Sequence, residues 1–499
     1  MDANGATGCL ARLNRLGQLT SPQLLIRLWP VVWRMARLVD QFGVGTICGR
    51  ECFEFETKLR EHLNEMGRII VQWKLNSLSS PTYDVPRIVF YEGNAYSSKR
   101  LSPTRNLNCL FGKIRIWRWL CESCDGFSLP SLFPLELQLG IVAGVATPAL
   151  ADRVALLSVD MTQRQLLEAL RSQHHVCWGP ETLRKTVTAM AEALSPVRHQ
   201  VQANKLRSLL DLAAGSVGPR RIQLVVGRDG IMIPICDLAK YKEAATATIS
   251  VYDRWGKRLG TVYLGQMPQE LQVTLSDQLT QLLNDVLGTW NAAPIRLTYV
   301  TDAGFHPTDY FRNVLCRMAD PQRPGRFLQW EWVVDYYHAC QYISTLAEAI
   351  FGPGRAAYAW AAKMRSVLKE KQGGVFRVLR SAGQLRAIRG LVGKESDYDS
   401  AYNYLRGHAR WMNYAERRRL RVPIGSGVTE AACKIVFSQR FKCAGMKWGI
   451  ESGASILTLR VIALSGLWSH ARNQMFSSQT TALPSTPRQS HHALNQNVA

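Results

Sequence analysis

The sequence lacks the long apolar segments that a membrane protein or a secreted precursor needs. Its longest apolar stretch, LGIVAGVATPALA at residues 139–151, contains a proline and is much shorter than a membrane span. The first residues, MDANGATGCLARLNRLGQL, have no apolar block after a basic start, so they are not typical of a secretion signal. We therefore expect a globular cytoplasmic protein without membrane contact, whose 12 cysteines are reduced thiols.

Acidic residues are scarce. The chain has 38 Asp and Glu against 61 Lys and Arg, which gives a net charge of +23 at pH 7. Such an excess attracts polyanions and favours a nucleic-acid partner, although a membrane surface or a ribosome would also accept it. Basic residues are spread along the chain, with local runs such as ERRRLR at residues 416–421. This distribution predicts several phosphate-facing surfaces.

Two common site motifs are incomplete. The turn GSGVTE at residues 425–430 lacks the third glycine of a dinucleotide fingerprint and the Gly-Lys-Ser/Thr ending of a P-loop. Cys121 and Cys124 form a single C-x-x-C, which is half of a zinc site, and the nearby cysteines and histidines lack the usual spacing for the other half. Buried or free thiols are the favoured interpretation of this pair, and zinc stays open.

The chain of 499 residues is long enough for two or three domains. Apolar periodicity predicts five regions. They are a helical region at 1–84, a small β module with the C-x-x-C at 85–135, a helical region at 136–200, an α/β domain at 218–475 with a helical insertion at about 340–420, and a disordered tail at 476–499. The role of the first region is not legible from its residues.

The region 136–200 contains a pattern typical of a helix-turn-helix. TQRQLLEAL and ETLRKTVTAMAEAL have suitable lengths, and Pro180 suits the first turn of the second helix. Thr182, Arg184, Lys185 and Thr188 would then face a DNA groove. The alternative is a plain antiparallel helix pair, and the net charge favours DNA contact.

The α/β domain has a defined order of elements. RIQLVVGRDGIMIPIC, TATISVYD and RLGTVYLG read as strands, the last two joined by the tight hairpin RWGK. An amphipathic helix, the strand IRLTYV, a short helix and the strand FLQWEWVV, which ends at Asp335, follow. Three strands, helix, strand, helix, strand is the order of an RNase H-like core. Its first and fourth strands are parallel neighbours, which would bring Asp229, Asp302 and, from a late helix, Glu430 to one cleft.

Each of these three acids also has a simpler explanation. Asp229 precedes a glycine and fits a hairpin turn, which its local pattern alone favours. Asp302 at a strand end fits a helix cap. Glu430 suits the first turn of a helix and an ion pair with Lys434. Other acids are equally available nearby, namely Asp237, Asp253 and Asp309.

Three converging carboxylates would repel each other, and divalent cations with oxygen ligands are the usual remedy. Two Mg²⁺ ions about 4 Å apart are suited to phosphoryl transfer on DNA, because one ion activates the attacking oxygen and the other stabilises the leaving oxygen. The pattern therefore points to metal-dependent chemistry on nucleic acid, if the three acids meet.

Four motifs resemble those of a known family. GRDG, VTDAGF, VVDYYHA and PIGSGVTEAACK with QRFKCAGMKW occur in the same order in the bacterial DDE insertion-sequence transposases of the ISKra group, relatives of the Mutator-like and hAT transposases. The resemblance covers about residues 85–470. It implies an RNase H-like catalytic domain with a helical insertion, preceded by helical and small β DNA-binding modules.

The resemblance also implies the site and the activity. Asp229, Asp302 and Glu430 would bind two Mg²⁺ or Mn²⁺ ions and catalyse DNA strand cleavage and strand transfer at the ends of an insertion sequence. The implied partners are double-stranded DNA, as terminal inverted repeats and as target, and further copies of the chain on that DNA, in the nucleoid of a bacterial cytoplasm. Asp335-Tyr336-Tyr337-His338 matches a Cys/Asp-x-x-His motif, which implies a role of His338 near the DNA strand or the active site.

Basic residues after Glu430 are candidate phosphate contacts, namely Arg440, Lys442 and Lys447. A solvated basic face is the alternative. Trp448 would either stack on an end base or belong to the core. Two other functions stay open, namely a non-catalytic DNA-binding protein derived from a transposase and a structure-selective nuclease on the same fold.

Overall fold

The computed structural model describes residues 22–45, 47–78, 87–124, 129–236 and 240–480. The chain divides into two compact units. The first unit combines Met1–Met190 with Asn473–Ala499, and the second unit is Ala191–Arg472.

The first unit begins with an antiparallel helical hairpin. Helix α1 is Pro22–Gln41 and helix α2 is Gly49–Asn76. The Phe42 and Phe55 rings stack at 4.4 Å between centroids near the connecting loop, and Arg34 forms an ion pair with Glu65 farther along the hairpin. The helices predicted for this region are present within the described residues.

A small antiparallel sheet follows. Strand β2 (Asn94–Pro103) lies between β1 (Ile88–Tyr91) and β5 (Trp117–Ser123), and β3 (Asn108–Cys109) pairs with β4 (Gly112–Lys113). The Cys121 side chain is buried with Val89, Tyr96 and Leu132, whereas Cys124 is exposed. The two thiols therefore have different environments, as expected of structural and free cysteines.

Four helices complete the N-terminal half. They are α3 (Pro134–Gln138), α4 (Pro148–Ser158), α5 (Gln163–His174) and α6 (Pro180–Ala214). Helix α5 begins at a capping box, in which Thr162 and Gln165 bond reciprocally, and it ends at His175 in the left-handed conformation. Helix α6 begins at Pro180 as predicted, but its 35 residues continue past the predicted boundary at 200.

The second unit is a mixed α/β structure built on a five-stranded mixed sheet. Its strands are β6 (Ile222–Pro234), β7 (Tyr241–Tyr252), β8 (Arg258–Gln266), β9 (Ile295–Thr301) and β10 (Trp330–Val334), in the order β10-β9-β6-β7-β8. Strands β6, β9 and β10 are parallel, and β7 is antiparallel to both of its neighbours. The predicted pairing of the first and fourth strands is confirmed. The hairpin interpretation of Asp229 is wrong, because β6 continues through it and Asp229 pairs with Thr246.

Helices lie between and after these strands in chain order. They are α7 (Val273–Gly288), α8 (Phe305–Asn313), α9 (Tyr336–Phe351), α10 (Arg355–Glu370), α11 (Gly374–Arg389), α12 (Glu395–Gly407), α13 (Tyr414–Arg419), α14 (Gly427–Ala432), α15 (Gln439–Phe441), α16 (Ile450–Leu464) and, across the boundary of the units, α17 (Trp468–Thr480). Helix α7 buries leucines at positions 275, 279, 282 and 283, the spacing of one helical face. A π-helical segment, Cys433–Ser438, joins α14 to α15.

The C-terminal end differs from the prediction in part. Helix α17 extends to Thr480, so disorder from residue 476 is wrong for residues 476–480, and residues 481–499 lie outside the described part. Among the described residues, no single helix is long and apolar enough to cross a membrane; one bent pair, Ile450–Leu464 with Trp468–Ser478, meets the length and composition criteria jointly.

Candidate carboxylate site

Aspartates stand at the same level on three neighbouring parallel strands. Gly227 of β6 pairs with Val300 of β9, so Asp229 and Asp302, each two residues farther on, are level with each other. Asp335 follows β10 directly, and its backbone N–H donates to Thr301 O at 2.8 Å. Ligands of α/β proteins commonly bind at the carboxyl ends of parallel strands. The parallel pairing, which sequence order alone suggested, thus brings these acids to one edge of the sheet.

Glu430 reaches this edge because α14 packs closely on β6. Gly227 makes the close approach possible, since a Cβ at this position would lie 2.0 Å from Thr429 Oγ1. The Thr429 hydroxyl is 2.9 Å from that of Thr248 on β7. Glu430 is the next residue, in the first turn of the helix, and its side chain is exposed.

Burial and the two other acids affect the Asp229 carboxylate. Burial, and then the negative charge of Asp302, raise the pKa of Asp229 from 3.8 to about 6, and Glu430 adds a smaller effect in the same direction. The Cys433 thiol donates to Asp229 Oδ2 at 3.3 Å, and the Gly230 N–H donates to Oδ1 at 2.8 Å. Burial and the charge of Asp229 also raise the pKa of the Cys433 thiol, so it remains a protonated donor. Two hydrogen bonds therefore fix the orientation of Asp229 and lower its pKa in part, against burial and two neighbouring negative charges.

The Asp302 turn is held in an uncommon conformation. Ala303 has φ 64°, in the left-handed region that residues other than glycine rarely adopt. Gly304 N–H donates to Asp302 Oδ1 at 2.9 Å, and the Tyr404 hydroxyl donates to Asp302 O at 2.6 Å. The N-cap residue of α8 is Gly304, so the cap interpretation of Asp302 is wrong. The helical insertion, through Tyr404, therefore helps to hold the backbone of the turn that carries Asp302.

Ser426 links two carboxylates, those of Asp335 and Glu430, and the sequence did not predict this link. Asp335 is 0% exposed; its Oδ1 accepts the His338 N–H at 2.8 Å, and its Oδ2 accepts the Ser426 hydroxyl at 2.5 Å and the Ser426 N–H. Ser426 Oγ is also 3.1 Å from Glu430 Oε1. One hydroxyl hydrogen serves one acceptor at a time, so Ser426 connects the buried Asp335 to the exposed Glu430. The aspartate at a strand end before a helix was the available signal, since Asp is a preferred N-cap residue.

The helix that carries Glu430 changes its winding just after it. The buried Arg460 guanidinium of α16 donates from Nε to Ile435 O and to Val436 O, both at 2.9 Å, within the π-helical segment. Single π turns occur frequently at functional sites. Here the segment begins at Cys433, the residue that bonds Asp229.

The predicted DNA contacts have different environments. Lys442 and Lys447 are exposed, but Arg440 is only 5% exposed and its guanidinium lies over the Trp448 ring at 4.8 Å, so Arg440 as a surface phosphate contact is wrong. Trp448 donates from its indole to Phe441 O at 3.2 Å, as a packed tryptophan does. His338 is partly buried, edge-on to Tyr342 at 5.3 Å between ring centroids.

Arg184 and Lys185, in the other unit, are exposed on α6. Both approach Glu181, at 2.8 Å and 3.7 Å respectively. Exposed ion pairs of this kind are weak, so both basic groups remain accessible to a stronger anion.

The alternative acids have other roles. Asp253 Oδ1 accepts the backbone N–H groups of Trp255 and Lys257, both at 2.8 Å, and so caps the turn between β7 and β8. Asp309 is exposed on α8 and accepts from Asn313 at 2.6 Å. Asp237 lies outside the described residues.

The donor set suits a hard cation in its chemistry, because carboxylate oxygens are the ligands that Mg²⁺ prefers and a cation would relieve the repulsion around Asp229. Across the described ranges, however, no group of three His, Cys, Asp or Glu side chains stands close enough to hold a metal ion.

No protein-family model matches the sequence, and no curated protein matches it significantly.

Proposed function

We propose that the chain is a DDE transposase of the kind found in ISKra insertion sequences, with an RNase H-like catalytic core in its second unit. Three observations support the proposal: the order of antiparallel and parallel strands, the helical insertion after β10, and a glutamate on a late helix. The observation that carries most weight is that Asp229 of β6 and Asp302, directly after the neighbouring parallel strand β9, lie level, and that burial, then Asp302 and, less strongly, Glu430 raise the pKa of Asp229.

Asp229, Asp302 and Glu430 would hold two Mg²⁺ or Mn²⁺ ions. When bound, such ions supply an activated attacking oxygen and stabilisation of the leaving oxygen. The chain supplies orientation. Cys433 and the Gly230 N–H fix the Asp229 carboxylate, and Tyr404 supports the turn that carries Asp302.

The reaction consists of two displacements at phosphorus. In the first, water attacks the phosphodiester at an element end, one P–O bond forms, and the bond to the 3′ oxygen breaks to leave a 3′ hydroxyl. In the second, that hydroxyl attacks a target phosphodiester: a bond forms between its oxygen and the target phosphorus, the bond from that phosphorus to the target strand's 3′ oxygen breaks, and the released 3′ oxygen takes up the proton that the attacking hydroxyl loses. The second step joins strands without an external energy source.

The charge of the chain fits DNA as the partner. The net charge is +23, and Lys442 and Lys447, shortly after Glu430, are exposed together with Arg418 and Arg419 of α13. Each phosphate that such a group neutralises releases counterions, which favours binding at moderate salt. Double-stranded element ends and target DNA are the proposed ligands, with several copies of the chain assembled on them in a bacterial cytoplasm.

The test is a strand-transfer assay with purified protein, Mg²⁺ and a labelled duplex that carries the end of the DNA element encoding this chain. Glu430→Gln keeps the shape of the side chain and removes its charge, and Asp309→Asn is the matched control, because Asp309 is an exposed acid outside the trio. We expect joined product from the wild type and the control. For Glu430→Gln we expect a loss of roughly a hundredfold or more, with DNA binding kept.

Other outcomes identify the other functions. Cleavage without joining would indicate a nuclease, and binding without cleavage in all three proteins would indicate a non-catalytic DNA-binding protein. Equal activity of the wild type and Glu430→Gln would contradict the role of Glu430.

A further inference from the structure

Helix α1 exposes an apolar stripe that the rest of the described chain does not cover. The stripe consists of Leu25, Ile26, Trp29, Val32, Trp33 and Val39. The spacing of these residues places them on one continuous helical face, beside the face that packs on α2 through Leu24 and Val31. Ile26 is 72%, Trp29 65% and Trp33 51% exposed. Contiguous apolar patches of this size mark interaction sites.

Helix α2 also leaves apolar side chains exposed to solvent. Its 28 residues include no buried residue, although Phe53, Leu63 and Ile70 are among its apolar side chains. A two-helix hairpin is the smallest helical unit, and its apolar surface is normally covered by further helices, as in a four-helix bundle.

Two observations favour a second copy of the same hairpin as the partner. The six stripe side chains expose on the order of 700 Å² of apolar area, near the ~800 Å² that each partner contributes to a standard interface. The charges are also complementary. Helix α1 has three arginines and one aspartate, whereas residues 49–65 of α2 have five glutamates and three basic residues. The twofold axis of such a bundle places α1 of one hairpin beside the acidic part, residues 49–65, of the partner's α2.

We infer that the α1 stripe is the interface between two copies of this chain, which pair their hairpins into a four-helix bundle. Arg37 borders the stripe, with its guanidinium over the Trp33 ring at 4.6 Å, and it would face the acidic part of the partner's α2. The interface needs no DNA and does not depend on the proposed catalytic function.

The test is the mass of the full-length protein without DNA, by sedimentation equilibrium at micromolar concentrations. We expect a mass of two copies for the wild type. Trp29→Glu combined with Trp33→Glu is expected to weaken self-association by ~30-fold or more, the scale of lost tryptophan hot spots. Val44→Glu with Ile47→Glu is the matched control, because both residues are exposed and apolar but lie in the loop after α1. It is expected to remain a dimer.

Circular dichroism checks that the variants fold. If the glutamate variant does not fold, Ile26→Ser with Val39→Ser introduces a milder change on the same stripe. A monomeric wild type, or a stripe variant as dimeric as the control, would overturn the inference.

A flotation assay with phosphatidylglycerol vesicles tests a membrane surface as the alternative partner of the stripe. A monomeric wild type whose vesicle binding is lost in the stripe variant would make α1 a membrane-surface helix and overturn the inference. Strand-transfer activity is measured separately, so failure of one proposal is distinguishable from failure of the other.

Discussion

Among the three acids, Asp229 is the one whose pKa burial and neighbouring charges clearly raise. Asp302 and Glu430 both raise its pKa, and within the described part of the chain the Cys433 thiol and the Gly230 N–H are the donors that lower it. Asp229 therefore takes up a proton at a higher pH than a usual surface aspartate, because burial and the neighbouring negative charges disfavour its ionised form. The same imbalance makes it a good position for a cation.

The substitution Asp229→Asn tests the raised pKa of Asp229 through the free energy of unfolding. Because the folded-state pKa is raised from 3.8 to about 6, the contribution of Asp229 to stability is fully present below pH 3.8 and is lost as the pH rises through about 6. We expect Asp229→Asn to match the wild type near pH 4 and to be more stable at pH 8, by on the order of 2 kcal/mol. Urea unfolding without divalent ions across this range measures the difference. A difference that is constant with pH would contradict the assigned pKa.

The contacts of Ser426 with two acids could not be predicted from the sequence. Its hydroxyl lies 2.5 Å from Asp335 and 3.1 Å from Glu430, although 91 residues separate Ser426 from Asp335. The glycine-rich turn was recognisable, but its attachment to a strand end depends on tertiary packing. Arg440 is a second residue whose environment depends on tertiary packing. The sequence predicted it to be a surface phosphate contact, but its side chain is buried against Trp448.

At the scale of elements, the close contact of α14 with β6 controls the position of Glu430. Gly227→Ala introduces a Cβ 2.0 Å from Thr429 Oγ1, so the helix has to shift. We expect a loss of stability of about 1–3 kcal/mol and a larger relative loss of strand cleavage. Thr429→Ala in the same chain removes the clashing oxygen and is expected to restore part of both, because the two positions are in contact.

Gly288→Ala is the control for this substitution. Gly288 ends α7, and a Cβ there meets no atom within 4 Å. Unfolding and cleavage measured on all four proteins would contradict the packing argument if Gly227→Ala behaved like Gly288→Ala.

The order of elements was largely predictable, because each strand and helix of the second unit carries its own apolar period. The RWGK hairpin and the start of α6 at Pro180 follow from turn and capping chemistry. Asp229-Gly230 was misleading, because twelve ladder pairs with β7 override a local turn preference. The π-helical segment was not predictable, since it depends on Arg460 from a helix that begins later in the chain.

At the scale of the whole molecule, an excess of positive charge coexists with a small cluster of negative charge. The net charge of +23 favours DNA, whereas Asp229, Asp302 and Glu430 would repel it unless cations lie between them and the phosphates. The proposed function therefore requires metal binding at the trio.

The most direct test is a count of bound Mn²⁺ by electron paramagnetic resonance, on the protein in complex with a cleaved element end. We expect about two ions per site for the wild type and for Asp309→Asn, and a loss of at least one ion in Asp229→Asn and in Glu430→Gln. This readout is independent of turnover. Equal Mn²⁺ binding by all four proteins would contradict the claim that these carboxylates form a metal site.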